Sequence, residues 1–218
     1  MQERLSDGER AALHVYLAEL ERWNRRVNLT AVPPGQAWQR HIGDSLRLLA
    51  AADPAAGSSV ADVGAGAGVP GLVFAVLRPD LHVALIEADR RRVGFLVHVA
   101  GVLGVRNARM VAERAEDAGR DPALRERFDL AVSRAAAPPA VLCELALPLV
   151  RVGGRLLALV GDAVLAAAEC AAAAIACGGA EPAAAAEGVL LVEKVAPTPP
   201  VYPRRPGVPS RHPLQASP

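Results

Sequence analysis

The hydrophobic positions along this 218-residue chain change period near residue 59. Before that point Leu13, Leu17, Leu20, Trp23 and Val27 recur at steps of three and four, the spacing of one apolar helix face. Ser6 stands three residues before Glu9, a capping box, so the pattern predicts an amphipathic helix of about 20 residues. Pro33, Pro34 and Gly35 interrupt it, and "AWQRHIGDSLRLLAAA" resumes a helical pattern up to Asp53-Pro54. From Ser59 onward short apolar runs alternate with helical stretches: "VADVG", "HVALIEA", "ARMVAE", "FDLAVSR", "GRLLALVG" and "GVLLVEKVA". Strands separated by helices imply right-handed crossovers and a doubly wound, mainly parallel sheet. The alanine-rich stretch from Asp162 to Ala176 reads as a helix on propensity, whereas "PTPPVYPRRPGVPSRHPL" holds too many prolines for regular structure. Three segments follow: a helical extension over 1–55, the α/β domain over 56–196, and a Pro/Arg-rich tail over 197–218.

Composition narrows this picture only slightly. Hydrophobic residues make up 52% of the chain and aromatics 3%, so Ala, Val and Leu must fill the core, as suits helices packed on a parallel sheet. A net charge of +1 carries no information about nucleic acid, which needs a local basic surface. Cys143, Cys170 and Cys177 form no C-x-x-C pair, so neither a disulfide framework nor a metal site is expected. The first residues lack a signal-like apolar run and the tract from Ala163 to Cys177 is too short to span a bilayer, which predicts a cytoplasmic protein without a membrane partner.

"VADVGAGAGVPG" holds the most specific chemistry. From Gly66 it reads G-x-G-x-x-G, and Glu87 follows 21 residues later, where a dinucleotide fold places its ribose-binding acid. Asp62 and Pro70 argue against a pyrophosphate, since one adds negative charge beside the glycines and the other lacks an N–H. S-adenosylmethionine (SAM) carries an ammonium and a sulfonium and no phosphate, so Asp62 is expected to serve its cationic end while Glu87 takes the ribose hydroxyls. An NAD-dependent oxidoreductase is the competing reading.

The segments "WNRRVNLTAV", "RHIGDSL", "DVGAGAGVPGLVFAV", "AERAED", "FDLAVSRA" and "YPRRPGVPSRHPL" together resemble the RsmG (GidB) methyltransferases, in order and over nearly the whole chain. The resemblance implies a Rossmann-like class I SAM-dependent methyltransferase fold. It further implies methylation of guanine N7 in the decoding-region loop of bacterial 16S ribosomal RNA, within the small subunit or a precursor. Carried over residue by residue, its cofactor contacts fall on Gly64, Val69, Ala115, Glu116 and Arg134, beside Asp62, Gly66, Gly68 and Glu87 from the loop reading. Val160 stands where many members of that family carry lysine, so a SAM-binding RNA protein with little catalysis is a third reading.

Guanine N7 has an in-plane lone pair and no proton to lose, so the reaction needs alignment and not a general base. His41, Asp44 and Ser45 fall within one predicted helical turn and cannot converge as a hydrolytic triad. Arg134 and His41 are the candidate catalytic residues, with Arg134 donating to the guanine carbonyl or a phosphate. Arg40, Arg90, Arg91, Arg204, Arg205 and Arg211 are the candidate RNA contacts, and charge reversal at Arg204 and Arg205 is expected to weaken RNA binding while sparing SAM. A monomer is expected.

Overall fold

A computed structural model describes residues 5–134 and 136–215, so the extreme ends of the first and last predicted segments, and residue 135 after the fourth strand, lie outside the described residues. Helix α1 (Asp7–Asn24) begins at Ser6, whose hydroxyl accepts the Glu9 N–H while the Glu9 carboxylate accepts the Ser6 N–H at 2.8 Å. Leu13, Tyr16 and Leu20 form its buried face. Asn24 closes the turn that follows: its side-chain oxygen accepts the N–H groups of Leu29 and Thr30 at 2.8 and 3.0 Å, and its amide donates to the Thr30 carbonyl. The second helical pattern is not uniform. Residues Trp38–Gly43 form a π-helical turn that runs directly into α2 (Asp44–Ala52), and the wider turn buries His41 and Ile42 side by side while leaving Arg40 exposed.

The remaining elements alternate: β1 (Ser59–Val63), α3 (Gly71–Leu77), β2 (His82–Ile86), α4 (Arg90–Val102), β3 (Ala108–Val111), α5 (Ala115–Ala118), β4 (Phe128–Arg134), α6 (Pro139–Ala146), β5 (Val150–Leu159), α7 (Ala163–Ala176), β6 (Ala183–Ala186), β7 (Val189–Glu193) and α8 (Val208–Arg211). The sheet order is β3-β2-β1-β4-β5-β7-β6, with the first five strands parallel and β7 antiparallel to both neighbours. This is the Rossmann-like, doubly wound class expected from the strand and helix alternation.

β6 is the strand the pattern missed. Four exposed alanines carry neither β-propensity nor alternation, and pairing with β7 through the turn at Glu187 and Gly188 is what makes them a strand. Successive strand residues feed two cores: Val60, Val83, Leu85, Leu130, Val132 and Leu157 pack with α1 to α4, whereas Ala61, Ala84, Ile86, Ala131, Leu156 and Ala158 pack with α6 and α7. The chain order reverses direction between β1 and β4, which opens a crevice at their carboxyl ends.

The proline-rich end is ordered against this frame. Arg125 donates to the carbonyls of Thr198, Pro199 and Tyr202, and Arg120 to that of Pro203. Lys194, fully buried, donates to the carbonyls of Leu147 and Cys177 and bonds the Thr198 hydroxyl; burial lowers its pKa to about 8. Cys143, Cys170 and Cys177 are free and buried.

Candidate cofactor cleft

The crevice is a cleft of about 1230 Å³. That exceeds the usual range for one drug-sized ligand and leaves room for a nucleoside beside a second reactant. Gly64, Gly66, Val69, Glu87, Ala115, Glu116, Arg134 and Arg40 all line it, so these predicted residues converge.

The backbone of the glycine loop is already committed. The N–H groups of Gly64 and Ala65 donate to the Ile86 carbonyl, Gly68 to Ala65, Gly66 to the Glu87 carboxylate at 2.9 Å, and Gly71 to the Asp62 carboxylate at 2.8 Å. Pro70 has no N–H. A pyrophosphate would find most of the loop's donors already taken, including the first amide of α3, with those of Ala67 and Val69 left over. Tyr16 adds a tie from α1, its buried hydroxyl donating to the Ala67 carbonyl at 2.8 Å. A lone tyrosine in an otherwise apolar helix stripe was a signal that such a partner existed.

The loop glycines divide by role. Gly64 and Gly66 have φ of +73° and +52°, and a Cβ on Gly64 would sit 2.6 Å from that of Ala136. Gly68, expected among the cofactor contacts, lies outside the cleft lining: its φ is +86°, and a Cβ there would press on Leu72 and Leu96 at 3.0 and 3.1 Å, so its bareness lets the loop seat against α3 and α4.

Asp62 corrects a second expectation. The sequence placed it at the loop's mouth; the strand pleat sends it, like Val60, to the α1–α3 face, where it is fully buried beneath the loop and absent from the cleft lining. One carboxylate oxygen accepts the Gly71 N–H, and the other, Oδ1, has no partner among the described residues. Burial raises its pKa to about 7, opposed by the Gly71 hydrogen bond and the nearby Arg134 charge. An unsatisfied carboxylate below the floor favours a cationic group above it, acting through the field and not by contact.

Glu87 is 7% exposed, its two oxygens accepting the Gly66 and Asp89 N–H groups. Each oxygen keeps a lone pair, so the carboxylate can still accept ribose hydroxyls. Glu116 is more deeply buried, and its carboxylate accepts the Gly207 N–H at 2.9 Å and pairs with Arg114 at 3.2 Å, which together hold its pKa down against burial.

His41, expected as a catalytic residue, is placed behind the cleft lining. It is fully buried, does not line the cleft, and burial with the positive charges of Arg134 and Arg40 lowers its pKa to about 4. Arg134 Nη2 donates to His41 Nδ1 at 2.9 Å; a guanidinium cannot accept, so Nδ1 holds the lone pair and Nε2 the proton, which faces the Thr30 hydroxyl at 3.4 Å. With Arg134 Nη1 bonded to the Arg40 carbonyl, this chain fixes Arg134 at the cleft wall. His41 and Thr30 are positioning residues.

Among the proposed RNA contacts, Arg40 lines the cleft with its side chain 61% exposed. Arg90 and Arg91 lie on the first turn of α4 outside the lining, where Arg91 pairs with Asp89; their neighbour Arg92 reaches the cleft instead. Arg205 and Arg211 are exposed. Arg204, expected among the RNA contacts, is partly buried: its Nε and Nη2 grip the fully buried Glu144 at 2.9 and 2.6 Å, so the guanidinium is engaged as an anchor for an interior carboxylate. Arg47 and Arg114, not weighed from the sequence, also line the cleft. Among the described residues there is no metal-ligand cluster and no helix long and apolar enough to cross a membrane.

A family model described as rRNA small subunit methyltransferase G matches residues 9–189. The chain is 40% identical over 216 residues to the ribosomal RNA small subunit methyltransferase G of Moorella thermoacetica, covering 94% of this chain and 90% of that protein. It is 41% identical to the protein of the same name from Roseiflexus castenholzii, covering 91% and 89%. Among solved structures, the [4+2]-cyclase SpnF aligns with a TM-score of 0.51 at 17% identity over 67% of this chain and 57% of that one, a likeness of fold.

Proposed function

Since this chain belongs to the rRNA small subunit methyltransferase G family, we propose that it transfers a methyl group from SAM to N7 of a guanine in the decoding-region loop of 16S ribosomal RNA. The observation that carries the reading is the state of the glycine loop: the amides of Gly64, Ala65, Gly66, Gly68 and Gly71 donate to protein acceptors, Pro70 has none, and an unpaired carboxylate oxygen lies beneath, which suits a cation better than a diphosphate. The NAD reading is left with only the Ala67 and Val69 amides of this loop as donors.

When bound, SAM would supply an electrophilic methyl carbon with a neutral thioether as its leaving group. Glu87 would hold the ribose hydroxyls, Ala115 and Glu116 would border the adenine, and Gly64, Gly66 and Val69 would form the floor. Arg134, fixed through His41 and the Arg40 carbonyl, would orient the guanine or its phosphate at the wall. No residue must remove a proton, so the acceleration comes from alignment in a shielded cleft. Val160 still lines the cleft, and Arg40, Arg47 and Arg92 supply the positive charge a lysine there would have added. The protein would act as a cytoplasmic monomer on the small subunit or its precursor.

Transfer of label from SAM to small-subunit particles lacking the modification, with the product mapped to guanine N7, tests the reading. Tight SAM binding with no transfer would favour a non-catalytic RNA binder; retention of NAD with indifference to SAM would overturn the assignment.

A further inference from the structure

At the opposite end of the sheet, the amino ends of β1 to β4 border a second groove of about 320 Å³. Arg106, Arg109 and Arg127 line it together with His82 and Ser59, and no carboxylate does. All three arginines are exposed, and none of their guanidiniums has a hydrogen-bond or ion-pair partner among the described residues. Elsewhere on the surface Arg78 pairs with Asp80, Arg91 with Asp89 and Arg151 with Asp129, whereas three unpaired arginines gathered in one groove concentrate positive charge.

The backbone presenting these groups is fixed. Asn107 donates to the carbonyls of Ala75, Arg78 and Leu81 at 3.2, 3.1 and 3.1 Å, which locks the turn that carries Arg106 into β3. Arg127 is held by its own N–H on the Leu149 carbonyl at 3.0 Å and by its carbonyl, which accepts the Ser59 hydroxyl at 3.2 Å. Bare guanidiniums on a fixed platform repel one another, and a polyanion relieves that repulsion.

Their arrangement indicates which polyanion. In the order β3-β2-β1-β4, Arg106 and Arg109 stand at one end of the row, His82 next, and Arg127 at the other end. Three strand spacings of about 4.8 Å place the outer strands, and so the backbones that carry these arginines, about 14 Å apart along the edge. A single phosphate requires converging donors, whereas a row of this length matches successive phosphates of a nucleic-acid strand. We propose that this amino edge is a second contact for ribosomal RNA, gripping the substrate's backbone on the side of the domain away from the cleft. The five residues of β1 separate the two sites by about 17 Å, within the reach of one folded RNA. The inference rests on the proposed rRNA substrate and adds a contact that does no chemistry.

The test titrates the full chain with 16S rRNA transcript at several salt concentrations, comparing wild type with R106Q/R109Q/R127Q. Loss of two to three phosphate contacts should flatten the slope of log affinity against log salt by about 2 and weaken binding about tenfold or more at low salt, with SAM affinity unchanged. Should the triple variant fail to fold, R106Q and R127Q singly replace exposed, unpartnered side chains, and each should flatten the slope by a little under 1. Wild-type binding with an unchanged slope and affinity in every variant overturns the groove alone. Absence of RNA binding by the wild type overturns the rRNA assignment, and the groove with it.

Discussion

Arg204→Ala separates an anchor from an RNA contact. Glu144 is fully buried, and Arg204 meets it with its backbone N–H at 2.8 Å, Nε at 2.9 Å and Nη2 at 2.6 Å. Truncation leaves the carboxylate in the interior with a single backbone donor. Breaking one side of a buried pair costs about 3–5 kcal/mol, and in a domain of this size each kcal/mol moves the melting temperature by about 2–4 °C, so Tm should fall by about 6–20 °C. Urea unfolding followed by far-ultraviolet circular dichroism measures the loss directly. Arg204→Ala combined with Glu144→Gln should be more stable than Arg204→Ala alone, because the uncompensated charge is gone. Gly207, three residues on, donates to Glu116 at the cleft wall, so loosening this anchor should also raise the SAM dissociation constant. A loss of under about 1 kcal/mol, or a defect confined to RNA affinity, would refute the argument.

Two further outcomes are expected. His41, with its folded pKa near 4, is neutral in the fold, so its contribution is present above the unfolded value of about 6.5 and is lost as pH falls toward 4. Asp62 works the other way: with its folded pKa raised to about 7, it costs stability increasingly as pH rises from about 4 to 7. Relative to wild type, His41→Gln should therefore lose stability more steeply with rising pH in that window, and Asp62→Asn less steeply; identical pH profiles would contradict both environments. Gly71→Ala would place a Cβ 2.6 Å from Asp62 Oδ2 and from Leu85 Cδ2, and should cost about 1–3 kcal/mol and abolish SAM binding by calorimetry. A stable variant with normal SAM affinity would show that the loop tolerates displacement.

What could be read along the chain was what neighbouring residues decide together. The capping box at Ser6 and Glu9, the alternation in β1, β2 and β4, and the glycine spacing after β1 depend on contacts a few residues apart, so their geometry follows from local order. Glu87 was legible from its spacing after the glycines, and Gly64, Val69, Ala115, Glu116 and Arg134 from the resemblance; they meet because parallel strands joined by right-handed crossovers bring every strand's carboxyl end to one edge. Tertiary packing decided the rest. The pleat placed Asp62 under the loop and not at its mouth, and a π-turn with a long-range partner, Arg134, made His41 a neutral support. Glu144 claimed Arg204 across sixty residues of chain, and β7 made a strand of four alanines. A charge's role depends on what surrounds it after burial, and linear order leaves that unspecified.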